Sequence, residues 1–157
     1  MTDKNKREIL GQIGHAWHRF FESMGLDRLG KWSEALHGIS PVDLHIIRMV
    51  AEIPDVILKD IRDDLDVPQS TLTSIVDRLE RNGILKRVIS SRDRRSYGLK
   101  LTKKGVNVHQ EHKKLGCMAS ELMFDALGDE REAKRFVNQL NAISDRFDKA
   151  YEEMIES

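Results

Sequence analysis

Leu65-Asp-Val-Pro-Gln-Ser-Thr-Leu-Thr-Ser-Ile-Val-Asp-Arg-Leu-Glu-Arg-Asn-Gly83 decides the reading of this 157-residue chain. Asp66-Val67-Pro68 turns the backbone. Leu72, Ile75, Val76 and Leu79 then recur at helical spacing, which predicts a helix from about 69 to 82 with one buried face. Asn82-Gly83 stops it, with glycine in the usual C-terminal capping role. The other face shows Gln69, Ser70, Thr71, Thr73, Ser74, Asp77, Arg78 and Arg81. Short hydroxyl and amide groups at the N-terminal end permit close approach to a groove, where they bond base edges or phosphates. The helix N-terminus also favours a nearby phosphate. Alone, such a face is equally that of an ordinary solvated helix.

The flanks sharpen the picture. Upstream, Ser40-Pro41 reads as an N-cap followed by proline at the first helical position. Leu44, Ile47, Val50 and Ala51 give that helix its buried side, and Pro54-Asp55 ends it. Leu58, Ile61 and Leu65 suit a short helix over roughly 57–65. Downstream, the period changes. Ile84–Ile89 reads as a strand and Tyr97–Leu101 as its returning partner, with Ser91-Arg92-Asp93-Arg94-Arg95 at the tip. Two short helices, a turn and a polar-faced helix form a helix-turn-helix pattern, and the basic hairpin directly after it makes a winged version. Arg92, Arg94 and Arg95 have few apolar neighbours in sequence, and they suit a narrow minor groove, where negative potential is focused. Asp93 would lock one arginine in place by a bidentate pair. The plainer alternative is a mobile charged turn. Helix and hairpin in this order favour nucleic-acid binding.

Charge placement agrees. Lysine plus arginine number 26 and aspartate plus glutamate 26, so the net charge is zero. Residues 1–67 sum to −3, residues 68–105 to +7 and residues 106–157 to −4. A basic segment between acidic flanks is a local footprint for a polyanion. No run approaches the roughly 20 apolar residues that span a bilayer. Met1–Glu8 is hydrophilic with no apolar core behind it, which predicts no secretory signal. A single cysteine, Cys117, excludes an internal disulfide framework, and a reducing, cytoplasmic location is expected.

The two ends read as long helices. Ile9, Ile13, Trp17, Phe20, Phe21 and Met24 form an amphipathic stripe over 5–24, which Gly25 and Gly30 interrupt. Thr102 caps a helix carrying Val106, Leu115, Met118, Leu122 and Met123, broken at Leu127-Gly128-Asp129. Phe136, Leu140, Ile143, Phe147, Tyr151 and Met154 then step close to a coiled-coil seam. These stripes exceed what a small winged helix covers, which predicts a two-fold homodimer. The expected organisation is residues 1–39 for dimerisation and effector contact, 40–105 as the DNA-binding lobe, and 106–157 as C-terminal dimerisation helices. The fold class is mainly α with a small β-hairpin wing, a winged helix-turn-helix between N- and C-terminal dimerisation helices.

Residues Leu65–Gly83, the following Ile84-Leu-Lys-Arg87, and Asp93-Arg-Arg-Ser-Tyr-Gly-Leu99-Lys-Leu-Thr102-Lys-Lys-Gly105 resemble the MarR family of multiple-antibiotic-resistance regulators. The wing is similar to that family's pattern Asp-x-Arg, three residues, Leu-x-Leu-Thr-x-x-Gly. Pro68 departs from the family's frequent serine, and the acidic run Asp60, Asp63, Asp64, Asp66 is heavier than expected beside DNA. The resemblance implies a homodimeric regulator of transcription, usually a repressor, on a pseudo-palindromic double-stranded DNA site. It implies that Arg95 enters the minor groove and that Asp93 orients it. The candidate DNA contacts are thus Gln69, Ser70, Thr71, Thr73, Ser74, Arg78, Arg92, Asp93, Arg94 and Arg95.

The resemblance also implies a small, aromatic effector. His15, Trp17, Phe20, Phe21, Trp32 and His45 are the candidates for its pocket, although an aromatic stripe at helical spacing is more often core. Some relatives sense zinc. His109 and His112 lie one turn apart, and His45 or Glu34 could complete a site, but a solvent-facing pair is the simpler reading. Cys117 reads as a buried, inert thiol. No cofactor is expected. No Gly-rich phosphate loop or paired nucleophile motif points to an enzyme. A winged helix used only for protein contacts is the alternative of another class, and the arginine-rich tip argues against it.

Overall fold

The computed structural model describes residues 3–25, 29–92 and 96–155, in two compact units, Met1–Lys113 and Lys114–Ser157. In chain order the elements are α1 (Asp3–Met24), α2 (Leu29–Trp32), a 3-10 turn (Glu34–Leu36), α3 (Pro41–Glu52), α4 (Leu58–Leu65), α5 (Gln69–Arg81), β1 (Leu85–Ile89), β2 (Tyr97–Leu101), α6 (Lys103–Leu127) and α7 (Glu130–Ile155). The architecture is mainly helical with one antiparallel hairpin, a winged helix-turn-helix. The wing-tip residues Asp93, Arg94 and Arg95 lie outside the described residues.

Local chemistry sets each boundary. Ser40 caps α3: its hydroxyl accepts from the Asp43 amide at 3.2 Å, and the Asp43 carboxylate accepts from the Ser40 amide at 2.9 Å. Asp60 does the same service for α4, accepting from the Ile57 amide at 3.1 Å. Asp66 ends α4 in the left-handed region, at φ 47°. Asn82 and Gly83, the latter at φ 69°, turn the chain out of α5 so that the Ile84 amide donates to the Leu79 carbonyl at 2.9 Å. Gly128 at φ 86° ends α6, and Asp129 caps α7 by accepting from the Glu132 amide at 2.8 Å. Gly30 behaves differently from the sequence expectation. It lies inside α2, where a Cβ would stand 3.0 Å from the His37 ring, so its role is close approach rather than interruption.

The core of the first unit is built from Ile46 and Ile47 of α3, Ile61 of α4, Leu72, Val76 and Leu79 of α5, Leu85 and Leu99 of the hairpin, and Val108 of α6. Ile75, expected on the buried face of α5, is only half-buried. The hairpin pairs Leu85 with Leu101 through Ile89 with Tyr97. A third segment joins it: Ile57 bridges Gly98, and the Leu99 amide donates to the Val56 carbonyl at 3.1 Å. The α1 stripe buries nothing within the chain, with Trp17 49% exposed, and Cys117 is exposed on α6. The exposed thiol runs against the sequence expectation of burial, whereas the open α1 stripe is what a face left uncovered by its own domain looks like.

The glycine that closes the wing pattern has a physical reason. The Thr102 hydroxyl accepts from the Gly105 amide and donates to the Gly83 carbonyl, drawing the start of α6 against the start of β1. A Cβ at residue 105 would stand 2.2 Å from the Ile84 carbonyl oxygen. Gly105→Ala should therefore destabilise the protein by about 1–3 kcal/mol through overpacking, read from denaturant unfolding; an unchanged midpoint would contradict this contact.

Candidate nucleic-acid interface

α5 presents Gln69, Ser70, Thr71 and Ser74 exposed and Thr73 half-buried, while Leu72, Val76 and Leu79 hold its other side. Pro68 occupies the N-cap and makes no side-chain cap bond. Two hydroxyls fold back on the helix: Thr73 donates to the Gln69 carbonyl at 2.8 Å and Ser74 to the Ser70 carbonyl at 3.0 Å. Thr73 Oγ1 also accepts from Gln69 Nε2 at 3.4 Å, and the short exposed side chains of the first two turns make a low, polar ridge.

The arginines divide by role. Arg78 is not free on the surface. Its guanidinium grips both oxygens of the fully buried Asp43 at 2.7 and 3.0 Å. That bidentate pair ties α5 to α3. Arg87 of β1 donates to Asp77 at 2.5 Å and also pairs with Glu80, which ties the wing to α5 and neutralises the two acids of that helix. The Asp77 hydrogen bond comes first among the causes that hold the Arg87 guanidinium above its ordinary range. Arg81 stands exposed at the end of α5. Arg92 pairs with Asp60 of α4.

The acidic run that looked heavy beside DNA is largely engaged inside the protein. Asp60 caps α4 and holds Arg92. Asp63 pairs with Arg62, and Asp64 meets His45 Nε2 at 2.5 Å. Asp55, at φ 52°, accepts from the Ser90 and Ser91 hydroxyls and the Arg92 amide. These bonds, led by that of Ser91, hold the Asp55 carboxyl below the usual range. Sequence reasoning missed Asp43, Asp55 and Asp60 as functional supports. Only Asp43 left a signal, the Ser-Pro-Val-Asp spacing of a reciprocal cap.

The effector candidates scatter. Trp17, Phe20 and Phe21 meet edge-on along α1, with ring centres 4.5 and 5.8 Å apart, and His15 is exposed on the same helix. Trp32 ends α2, and His45 is bound to Asp64. A cleft of about 600 Å³ lies elsewhere, between Gly30, Glu34, His37 and Ile39 on one side and Asn82, Ile84 and Lys104 on the other. Among the described residues no three His, Cys, Asp or Glu side chains are grouped to hold a metal ion. His109 and His112 are both half-buried, rather than solvent-facing.

A ridge-bearing helix held against a basic hairpin defines the class: a winged-helix protein built to present α5. Residues 39–97 match the model of the MarR family. The chain is similar to the crystal structure of FabT from Streptococcus pneumoniae in complex with DNA, with 27% identity and a TM-score of 0.75 over 90% of this chain and 99% of that one. It shares 23% identity and a TM-score of 0.64 with a MarR transcriptional regulator from Methanosarcina mazei Go1, over 91% and 99% of the two chains. The repressor CouR, bound to a 23-mer DNA duplex, gives 22% and 0.64 over 87% and 95%. Comparison with curated proteins found no match. The match to the MarR family model is confined to residues 39–97, and over nearly its whole length the chain shares its fold with these solved structures.

Two outcomes follow from the pairs above. Arg78→Ala leaves the Asp43 carboxylate buried without its cation and should cost about 3–5 kcal/mol, whereas Asp43→Ala frees a half-exposed arginine and should cost only the cap, about 0.5–2 kcal/mol. Equal losses in urea unfolding would contradict this asymmetry. Burial first, then His109 and Arg48, push the His112 imidazole below its ordinary 6.5. The unfolded chain therefore gains a proton before the folded one as pH falls through 6.5, so stability is full above that value and declines below it. The melting temperature of His112→Gln should fall less than that of the wild type on going from neutral pH to about pH 5; parallel curves would refute this assignment.

Proposed function

We propose that the protein is a transcription regulator that binds duplex DNA as a homodimer, with α5 in the major groove and the wing on the adjacent minor groove. One observation carries this reading: the polar ridge of α5 and the hairpin fall within the +7 segment of residues 68–105, while that segment's neighbouring acids are paired internally. Gln69, Ser70, Thr71, Thr73 and Ser74 supply base and phosphate contacts, and Arg94 and Arg95 the minor-groove charge. The presence of DNA in the FabT and CouR structures supports the same direction. Regulation is by repression, as for CouR.

Residues 1–39 and 106–157 supply the dimer contacts. Ile9, Ile13 and Phe20 on α1, and separately Leu140, Ile143 and Tyr151 on α7, form exposed apolar stripes that a second copy would cover. A small organic effector occupies the cleft at His37 and Lys104, whose walls are part polar and part apolar.

Selection of bound duplexes from a random pool should return an inverted repeat with half-sites about ten base pairs apart, one helical turn. Arg95→Ala should weaken binding to that duplex and lower the slope of log affinity against log salt by about one. Enrichment of no sequence, together with salt-insensitive binding, would refute the reading in favour of a protein-contact module.

A further inference from the structure

Three groups of bonds meet at the root of the wing, and none was legible in the sequence. Asp55 follows Pro54 and sits in the left-handed region at φ 52°, a conformation an aspartate tolerates at some cost. One oxygen of its side chain accepts from Ser90 Oγ at 2.9 Å, Ser91 Oγ at 2.7 Å and the Arg92 amide at 2.8 Å. Asp60, one turn into α4, holds Arg92 Nη2 with both oxygens, at 2.9 and 3.0 Å. Gly98 on the opposite strand passes so close that a Cβ would stand 3.2 Å from the other Asp55 oxygen. Arg92 is the last described residue before the tip, so these bonds fix the stem at the point where the tip begins.

We propose that Asp55 and Asp60 form a socket on the helix-turn-helix that sets the angle of the wing, and that Arg92 is a positioning residue whose charge is bound to Asp60 rather than to a phosphate. The inference rests on the DNA-binding reading and divides the wing arginines by task. Arg94 and Arg95 meet the duplex; Arg92 aims them. An arginine engaged by both carboxylate oxygens of a partly buried partner would have to give up charge-assisted bonds to reach DNA. A side chain at residue 98 would press on the Asp55 carboxyl and the Val56 carbonyl, so a glycine there suits this contact.

The test uses the full chain and the duplex that the wild-type protein enriches from a random pool. Arg92→Glu and Asp60→Lys should each weaken binding about tenfold or more, and the double variant Asp60→Lys/Arg92→Glu should bind at least about threefold better than either single variant, short of wild type because the Ile57 amide loses its cap. Arg92→Ala should leave the salt slope unchanged, in contrast to Arg95→Ala. A double variant as weak as Arg92→Glu, with a slope lowered by about one in Arg92→Ala, would show a phosphate contact and overturn the proposal. A second readout needs no DNA. Amide exchange at Arg92 and Leu99 should speed up in Asp55→Ala while amides in α5 keep their protection; unchanged exchange at those two amides would overturn the socket even if no duplex were bound.

Discussion

A bidentate pair between the buried carboxylate of Asp43 and Arg78 sets how α5 lies on α3. Asp43 closes the N-terminus of α3 through Ser40, and its two oxygens receive the guanidinium of Arg78 from the middle of α5. A carboxylate fully removed from water is tolerable only when its lone pairs are filled, and here the backbone and one arginine fill them. The position of α5 is therefore tied to the start of α3 by geometry as well as by the apolar contacts of Leu72, Val76 and Leu79. A bidentate pair fixes orientation in a way that non-directional burial does not.

The same device is repeated outward. Arg87 carries the restraint from α5 into β1, and Arg92 carries it from α4 into the far end of the wing stem. Each of these cations comes from the basic half of the lobe, and each meets an acid that would otherwise repel a phosphate. This sorts the +7 segment into a structural set and a free set. The structural set consists of Arg78, Arg87 and Arg92. Arg81 on α5 stands outside the structural set: it is exposed and bonds only the Asp77 carbonyl of its own helix among the described hydrogen bonds.

How much of this the sequence disclosed depends on the range of the interaction. Helix ends were legible because caps act over three or four residues: Ser40-Pro41, Asn82-Gly83 and Gly128-Asp129 mark real boundaries. The hairpin was legible because strand period and a change of composition are local. The pairs joining residues 35 to 37 positions apart, Asp43 with Arg78 and Asp55 with Ser90 to Arg92, were not. Nothing in one sequence says which acid a given arginine will meet. Burial failed for a related reason. The thiol of Cys117 was read as core yet stands exposed, and the apolar stripe of α1, read as a surface for a second copy, is exposed within a single chain. An amphipathic pattern reports that a face wants cover; it does not report whether the cover comes from the same chain.

The central claim is that α5 and the wing, braced by these acids, form one surface for duplex DNA. The most direct measurement is an amide-resolved titration of isotopically labelled protein with the selected duplex. The account predicts that shifts concentrate at 69–74 and 91–97, with the helices of residues 130–155 quiet. Shifts centred on α1 or α7, or none at saturating duplex, would contradict it.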